Sequence, residues 1–211
     1  MARLLADYFL ARRRPFFGFD TDPHESPFAV RFPGLVEVAD LAMVKGQIAL
    51  FDQLLRRDAT PRIVDVWARS WSGFLKITRE TGLVEEARRL DIEPVFLLVV
   101  DDAGAWIDAA NGLLAQWPDL RLVLARNHGL AAGVDTSAHF PGLRDFDIAG
   151  LDPIVAQAME RPELSLSRFL VAPPVEMSIV VRTALRAWVL GVFTQIQAYE
   201  LRVAMDARGG R

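Results

Sequence analysis

The chain has 211 residues, 52% of them hydrophobic and 24% charged, with a formal net charge of −3. That is enough apolar content for the core of one globular domain, taken here as residues 1–211, and it gives no overall basic field to draw the chain onto nucleic acid or an anionic membrane. Cysteine is absent, which excludes a disulfide framework, a thiolate metal site and a cysteine nucleophile, and suits a cytoplasmic location.

Residues 2–13 read as a helix with Leu4, Leu5, Tyr8 and Phe9 on one face, and Pro15 breaks it. The first residues, Asp7 among them, do not read as a signal peptide. Phe16 to Phe19 is a short apolar run, predicted as a buried strand that ends at Asp20. Residues 21–34, with three prolines, read as a loop. Residues 36–57 are predicted mostly helical with a break at Gly46, residues 61–66 as a second strand, and residues 71–90 as helix. A third strand covers residues 95–100, a helix runs to Trp117, and a fourth strand covers residues 120–125 and leads into Arg126, Asn127, His128 and Gly129. Beyond Gly133 short helices are predicted at 151–159 and 164–170, and a long one over 177–205. The tail from Ala207 to Arg211 is expected to be disordered.

Short all-apolar strands alternating with longer helices predict βαβ crossovers and a mostly parallel sheet covered by helices on both faces, a three-layer α/β sandwich. In such sheets ligands bind at the carboxyl ends of the strands. Asp20, Asp22, Asp65, Asp101, Asp102 and Asn127 all fall at those ends.

Asp20 and Asp22, two residues apart at a strand end, are candidates to ligate Mg²⁺ or to orient a water, and equally candidates for an Asx turn or helix cap before Pro23. Asp65 closes an apolar strand, the placement of an acid that holds Mg²⁺, or of an ordinary strand-end cap. Asp101 and Asp102 suit helix capping. Asn127 is placed either to bond a base edge or to form a turn. Of the histidines, His24 lies in the acidic loop, and His128 and His139 read as surface loop residues. No histidine pair has zinc-ligand spacing and no G-x-S-x-G is present, so a zinc site and a hydrolase elbow have no support.

The helix at 2–13 followed by Pro15-Phe16-Phe17-Gly18-Phe19-Asp20-Thr21-Asp22-Pro23 resembles the stretch after the phosphate-binding loop in ParA/MinD-like P-loop ATPases, where a helix leads to a strand ending in aspartate-x-aspartate-proline. Ile63-Val64-Asp65 is similar to that family's Walker B strand, and Leu124-Ala125-Arg126-Asn127 to the strand whose asparagine reads adenine. The resemblance covers about residues 2 to 130 and extends more loosely to ParA-like accessory proteins of plasmid mobilisation and conjugation. It implies a P-loop NTPase-like fold and a nucleotide switch that binds ATP and Mg²⁺. Asp20 would lie near Mg²⁺ and the γ-phosphate, Asp22 would orient water, Asp65 would hold Mg²⁺ through water, and Asn127 would contact the base. Implied partners are a second copy of the chain, a protein of a partition or transfer system, and DNA indirectly.

One part of the family pattern is missing. The K-G-G-x-G-K-[ST] loop, whose amides and lysines cradle phosphates, is not in this sequence; Lys45 and Lys76 are its only lysines, and Met1 falls about where the loop would end. The strand before that loop, which in the family lies near the middle of the sheet, is likewise not in the sequence. A start set too late and a degenerate, non-hydrolysing paralogue both account for this, and the chain as it stands is expected not to hydrolyse ATP. The helix over 177–205 carries a wide apolar stripe, but its basic residues Arg182, Arg186 and Arg202 are accompanied by Glu200 and Asp206. It is therefore read as a core or dimer helix rather than a membrane helix. Two further functions compete with the ATPase switch. One is a non-catalytic scaffold or dimerisation module of the same fold. The other is a haloacid dehalogenase-like phosphohydrolase with Asp20 as nucleophile, for which the second strand lacks the expected Ser or Thr at its end.

Overall fold

In a computed structural model, residues 1–130 and 133–209 are described, with side chains as far as Asp206. The chain forms two compact units, Met1–Pro94 and Val95–Arg211. It is an α/β protein whose described strands form two three-stranded, wholly parallel sheets.

The first unit runs α1 (Ala2–Ala11), β1 (Phe17–Asp20), α2 (Pro27–Arg31), β2 (Val36–Val38), α3 (Val44–Leu54), β3 (Arg62–Asp65), α4 (Trp71–Glu80) and α5 (Leu83–Arg89). The sheet order is β2-β1-β3, so the first strand of the chain is central and must be apolar on both faces. Phe19 is fully buried on it, and Gly18 is glycine because a Cβ there would come within 2.7 Å of Val36 and 3.0 Å of the Phe28 ring. Phe16 lies 6.5 Å from Phe28 and 5.8 Å from Phe32, ring to ring, and these three pin α2 beside β1. Each such ring, fully buried, contributes about 1.5–3 kcal/mol.

The second unit runs β4 (Val95–Val100), α6 (Ala105–Gln116), β5 (Arg121–Asn127), α7 (Thr136–His139), β6 (Arg144–Ile148), α8 (Pro153–Glu160), α9 (Leu166–Val171) and α10 (Ile179–Gly209). Its sheet order is β4-β5-β6. β5 is the central strand, and Leu122, Val123, Leu124 and Ala125 are buried in succession along it. Val100, Trp106 and Leu124 form one core cluster. Leu185, Val189, Val192 and Ile196 are the buried stripe of α10, and Tyr199 meets Phe146 of β6 edge to face. The Trp188 indole donates to the carbonyl of Ala149 and the Arg186 guanidinium to that of Leu170, holding the helix to the loops beside it. By length and composition the window Ile179–Asp206 is apolar enough to cross a membrane, with a mean hydropathy of 1.4. Only 28% of its apolar window is buried, along the stripe just named. The opposite side of α10 leaves Val180, Leu190, Leu201 and Met205 exposed.

The architecture departs from the sequence reading in several places. The single sheet expected from the βαβ pattern is two sheets: every ladder lies within Met1–Pro94 or within Val95–Arg211. Residues 36–38, expected as the start of a helix, are β2, because Val36 and Val38 pair with Gly18 and Asp20 of β1 and tertiary pairing overrides a three-residue local signal. The helix then begins at Val44. Gly46 does not break it but permits a close approach, since a Cβ there would lie 2.2 Å from the Asp40 carbonyl oxygen. The loop over 21–34 contains α2, and the helix over 71–90 is two helices, divided at Gly82 with φ +61°. β6 was not expected at all. The tail expected to be disordered is helical in its backbone through Gly209; Gly210 and Arg211 lie outside the described residues.

Candidate functional site

The parallel register of β1 and β3 sets Asp20 opposite Asp65, so two of the predicted carboxylates meet at the carboxyl edge of the first sheet. Between them runs Thr21, fully buried. Its amide donates to the Asp65 carbonyl at 3.0 Å, its hydroxyl accepts from the Trp67 amide at 2.8 Å, and its carbonyl accepts from the Ser70 hydroxyl at 2.9 Å. The loops that follow the two strands are thereby stitched together.

Asp20 is buried, 2% exposed, and among the described residues its hydrogen-bond donors are backbone amides. One carboxylate oxygen accepts from the Asp22 amide at 3.0 Å, and the other accepts from the Phe28 amide at 2.8 Å and the Ala29 amide at 3.2 Å. The last two are among the first N–H groups of α2, which have no partner inside the helix. A carboxylate offers about four lone-pair positions, and three are in use. Asp22 repeats the device one step on: its Oδ1 accepts from the amides of His24, 2.9 Å, and Glu25, 3.3 Å, while its carbonyl accepts from the Ser26 hydroxyl. The aspartate-x-aspartate-proline segment is thus a self-bonded turn that caps α2, the structural alternative left open by the sequence. His24 stands edge-on to Trp67, ring centroids 5.7 Å apart.

Asp65 differs. Its side chain accepts no hydrogen bond from any described residue, and burial pushes its pKa up, opposed by the Met1 ammonium and reinforced by the negative charge of Asp20. The Met1 ammonium is itself buried, and its pKa is lowered by that burial, with Asp65 acting the other way. At one corner of α1, Arg3 sits beside Asp7 and is pushed down to about 10, first by burial and then by Arg31. Asp65, Asp20 and the amino group of Met1 therefore converge on one spot. In chemical terms, Asp65 retains its lone pairs and suits an acid that holds a hydrated cation, whereas Asp20 has little coordination left to give. Among the described residues no group of three His, Asp or Glu is arranged to hold a metal ion. Of the two lysines, Lys45 is in the first turn of α3 and Lys76 in α4.

Asn127 belongs to the second unit, where it is the last residue of β5. Its Oδ1 accepts from the Gly129 amide at 3.0 Å and its carbonyl from the Leu130 amide at 2.8 Å, so the Asn is a turn residue. Its side-chain NH₂ has no partner among the described residues. Asp101 and Asp102 follow β4, and the Asp101 carbonyl accepts from the Trp106 indole.

A charged cluster beside Asn127 was not anticipated. His128 hydrogen-bonds Asp147, and Arg126 bonds Asp147 through Nε at 3.2 Å and lies 3.7 Å from Asp145. Asp145 also accepts from the Thr136 hydroxyl. The Asp147 carboxyl is held below its ordinary range by the His128 hydrogen bond first and by Arg126 after it. His128 is thus a partnered group and not a bare loop residue. The signal lay in Asp145-Phe146-Asp147-Ile148, whose alternation of polar and apolar residues marks a half-buried strand and puts both acids on one face.

Comparison with family models, with curated proteins and with solved structures finds no match to this chain.

Proposed function

We propose that the chain is a nucleotide-switch domain of the ParA/MinD-like kind, acting in the cytoplasm to position DNA or a transfer complex through a protein partner. The observation that carries this reading is the convergence of Met1, Asp65 and Asp20 at the carboxyl edge of the first sheet. In the resemblance, Met1 stands where the phosphate-binding loop ends and Asp65 where the Walker B acid lies. Those two points must be neighbours for one Mg²⁺ to touch both. The chain supplies them as neighbours through its fold, 64 residues apart in sequence. In the described sheet β3 is also an edge strand, the position at which the strand that precedes the loop in that family would pair.

Within this reading Asp65 is the residue that would hold Mg²⁺ through water, and ATP supplies the phosphoryl chemistry. Asp20 and Asp22 shape the loop: their bonds fix the chain from Asp20 to Ala29, and Asp20 acts on the cation chiefly through its charge. The phosphate cradle has no counterpart among the described residues, and in this reading the chain alone is expected not to turn over ATP. That favours a scaffold role over a haloacid dehalogenase-like one, since a nucleophilic Asp20 would have to attack with a carboxylate already spent on three backbone amides.

The test is to fuse a strand and the K-G-G-x-G-K-[ST] loop ahead of Met1 and to titrate both forms with a fluorescent ATP analogue, with and without Mg²⁺. The fused form binds in a Mg²⁺-dependent way that Asp65→Asn abolishes, and the original chain does not hydrolyse ATP. A fused form that unfolds cooperatively yet binds no nucleotide refutes the assignment.

A further inference from the structure

One long side of α10 is exposed and carries no charge. The helix is anchored by its other side. Leu185, Val189, Val192 and Ile196 are buried there, and the Trp188 indole and Arg186 guanidinium reach carbonyls of the neighbouring loops. Gln195 clamps β6 as well: its Oε1 accepts from the Asp147 amide at 2.7 Å, and its Nε2 donates to the Asp147 carbonyl at 2.8 Å. Opposite these anchors, uncharged residues recur at alternating spacings of four and three. Val180, Leu201 and Met205 stand at the ends of this stripe, with Ala184, Ala187, Gly191, Thr194 and Ala198 between them. All of them are exposed, the three end residues by more than half. The one hydroxyl among them, that of Thr194, is spent on the Leu190 carbonyl at 2.8 Å.

A helix face that stays in water carries charge, whereas uncharged positions repeating every 3.5 residues over several heptads form the seam of a helix pair. The size of the side chains selects what covers this seam. A lipid surface holds a helix in proportion to the apolar area buried and calls for a polar face rich in Lys or Arg. Alanine and glycine offer little such area, but they let a second helix come close. A Cβ on Gly191 would meet nothing within 4 Å. This glycine, which costs a helix about 1 kcal/mol relative to alanine, therefore relieves no crowding within the chain. The long side chains at the two ends fill the space where the axes of two helices in contact at their middles diverge. From their exposures the stripe and Leu190 present roughly 600 Å² per copy, so a pair of copies buries about 1,200 Å², the lower end of a stable interface. Charge sets the direction. Exposed Arg202 borders the stripe. A parallel pair in register puts both copies of Arg202 at one level, whereas an antiparallel pair separates them by about 28 Å, well beyond the screening length, and opposes the helix dipoles.

We infer that two copies of this chain pair through the exposed face of α10, antiparallel, about a two-fold axis between residues 192 and 193. Gly191 then lies beside the partner's Thr194, Ala187 beside the partner's Ala198, and Val180 beside the partner's Met205; each contact occurs twice, as a two-fold interface requires. The pairing needs no nucleotide and does not depend on the nucleotide-switch reading.

The experiment sediments the full chain without nucleotide between about 1 and 100 µM, the range in which an interface at the lower size limit dissociates. The chain passes from monomer to dimer in that range. Ala187→Glu, at an exposed position, buries two unpaired carboxylates in the pair and raises the dissociation constant about 100-fold or more. Its thermal midpoint, read at a concentration where both forms are monomeric, stays that of the original chain. Because the chain has no cysteine, direction is read by oxidative cross-linking. Val180→Cys mixed with Met205→Cys gives a disulfide-linked pair, and neither variant cross-links to itself, since the two copies of Met205 lie about 38 Å apart. A chain that stays monomeric at 100 µM overturns the inference, as does an Ala187→Glu variant that associates as the original does. Self-cross-linking of Met205→Cys overturns it by showing a parallel pair. A chain that remains monomeric but sediments with phosphatidylserine-containing vesicles, and is released by Ala187→Glu, overturns it too and makes the face a membrane surface.

Discussion

Replacing Asp20 separates a structural carboxylate from a catalytic one. In Asp20→Ala three backbone amides, those of Asp22, Phe28 and Ala29, lose their acceptor. Each buried donor left unsatisfied costs about 1–3 kcal/mol. If water re-enters to serve one of the three, the first unit loses about 2–6 kcal/mol, a large part of the ~5–15 kcal/mol that holds a domain folded. Asp20→Asn keeps one acceptor oxygen but turns an NH₂ toward the other amides, and loses about half as much. The assay is urea unfolding followed residue by residue by hydrogen exchange, because a chain of two units need not unfold in one step. Protection at Phe28 and Ala29 falls first. The opposite expectation belongs to an acid kept only for a ligand: its removal would relieve the charge beside Asp65 and leave stability unchanged or raised. A loss below about 1 kcal/mol in Asp20→Ala, with the Phe28 and Ala29 amides still protected, refutes the capping argument.

Asp65 carries a pH signature. Its folded pKa is raised, so the native state holds the proton more tightly than the unfolded chain, and stability falls as pH climbs from the ordinary value of 3.8 through the raised one. Asp65→Asn removes that slope, as measured by denaturant midpoints across the window. Asp147 has the opposite sign: its folded pKa is depressed, so its contribution is present above 3.8 and lost as pH falls below it, and His128→Ala shrinks that loss. Gly46→Ala costs more than ~2 kcal/mol in thermal unfolding, because the new Cβ meets backbone of Asp40 that cannot rotate away. Leu185→Ala, at a fully buried position of α10, lowers the stability of the second unit by about 2–5 kcal/mol in urea titration.

The sequence by itself determined what is set locally. Phe16-Phe17-Gly18-Phe19, Ile63-Val64 and residues 95–100 are apolar runs too short for helices, and the helices between them required parallel pairing; strands and parallel pairing both hold, whereas burial holds in part, since Phe19, Ile63 and Val100 are buried but Val95 and Val99 are each 41% exposed. The aspartates at the strand ends were legible as capping or ligating groups, because both roles need the same residue at the same place. Choosing between them required the tertiary structure. Only once α2 is seen to begin beside β1 do Phe28 and Ala29 reach back to Asp20, eight and nine residues away. β2 and β6 escaped for a related reason: three residues at 36–38, and acids alternating with Phe146 and Ile148, become strands through the neighbour they pair with. The division of six strands into two sheets was likewise invisible, since hydrophobic pattern says that a strand is buried but not which strand lies beside it. The Gln195 clamp on Asp147 and the meeting of Met1 with Asp65 join residues 48 and 64 positions apart. Contacts of that range leave no period in the sequence, and folding alone brings them together.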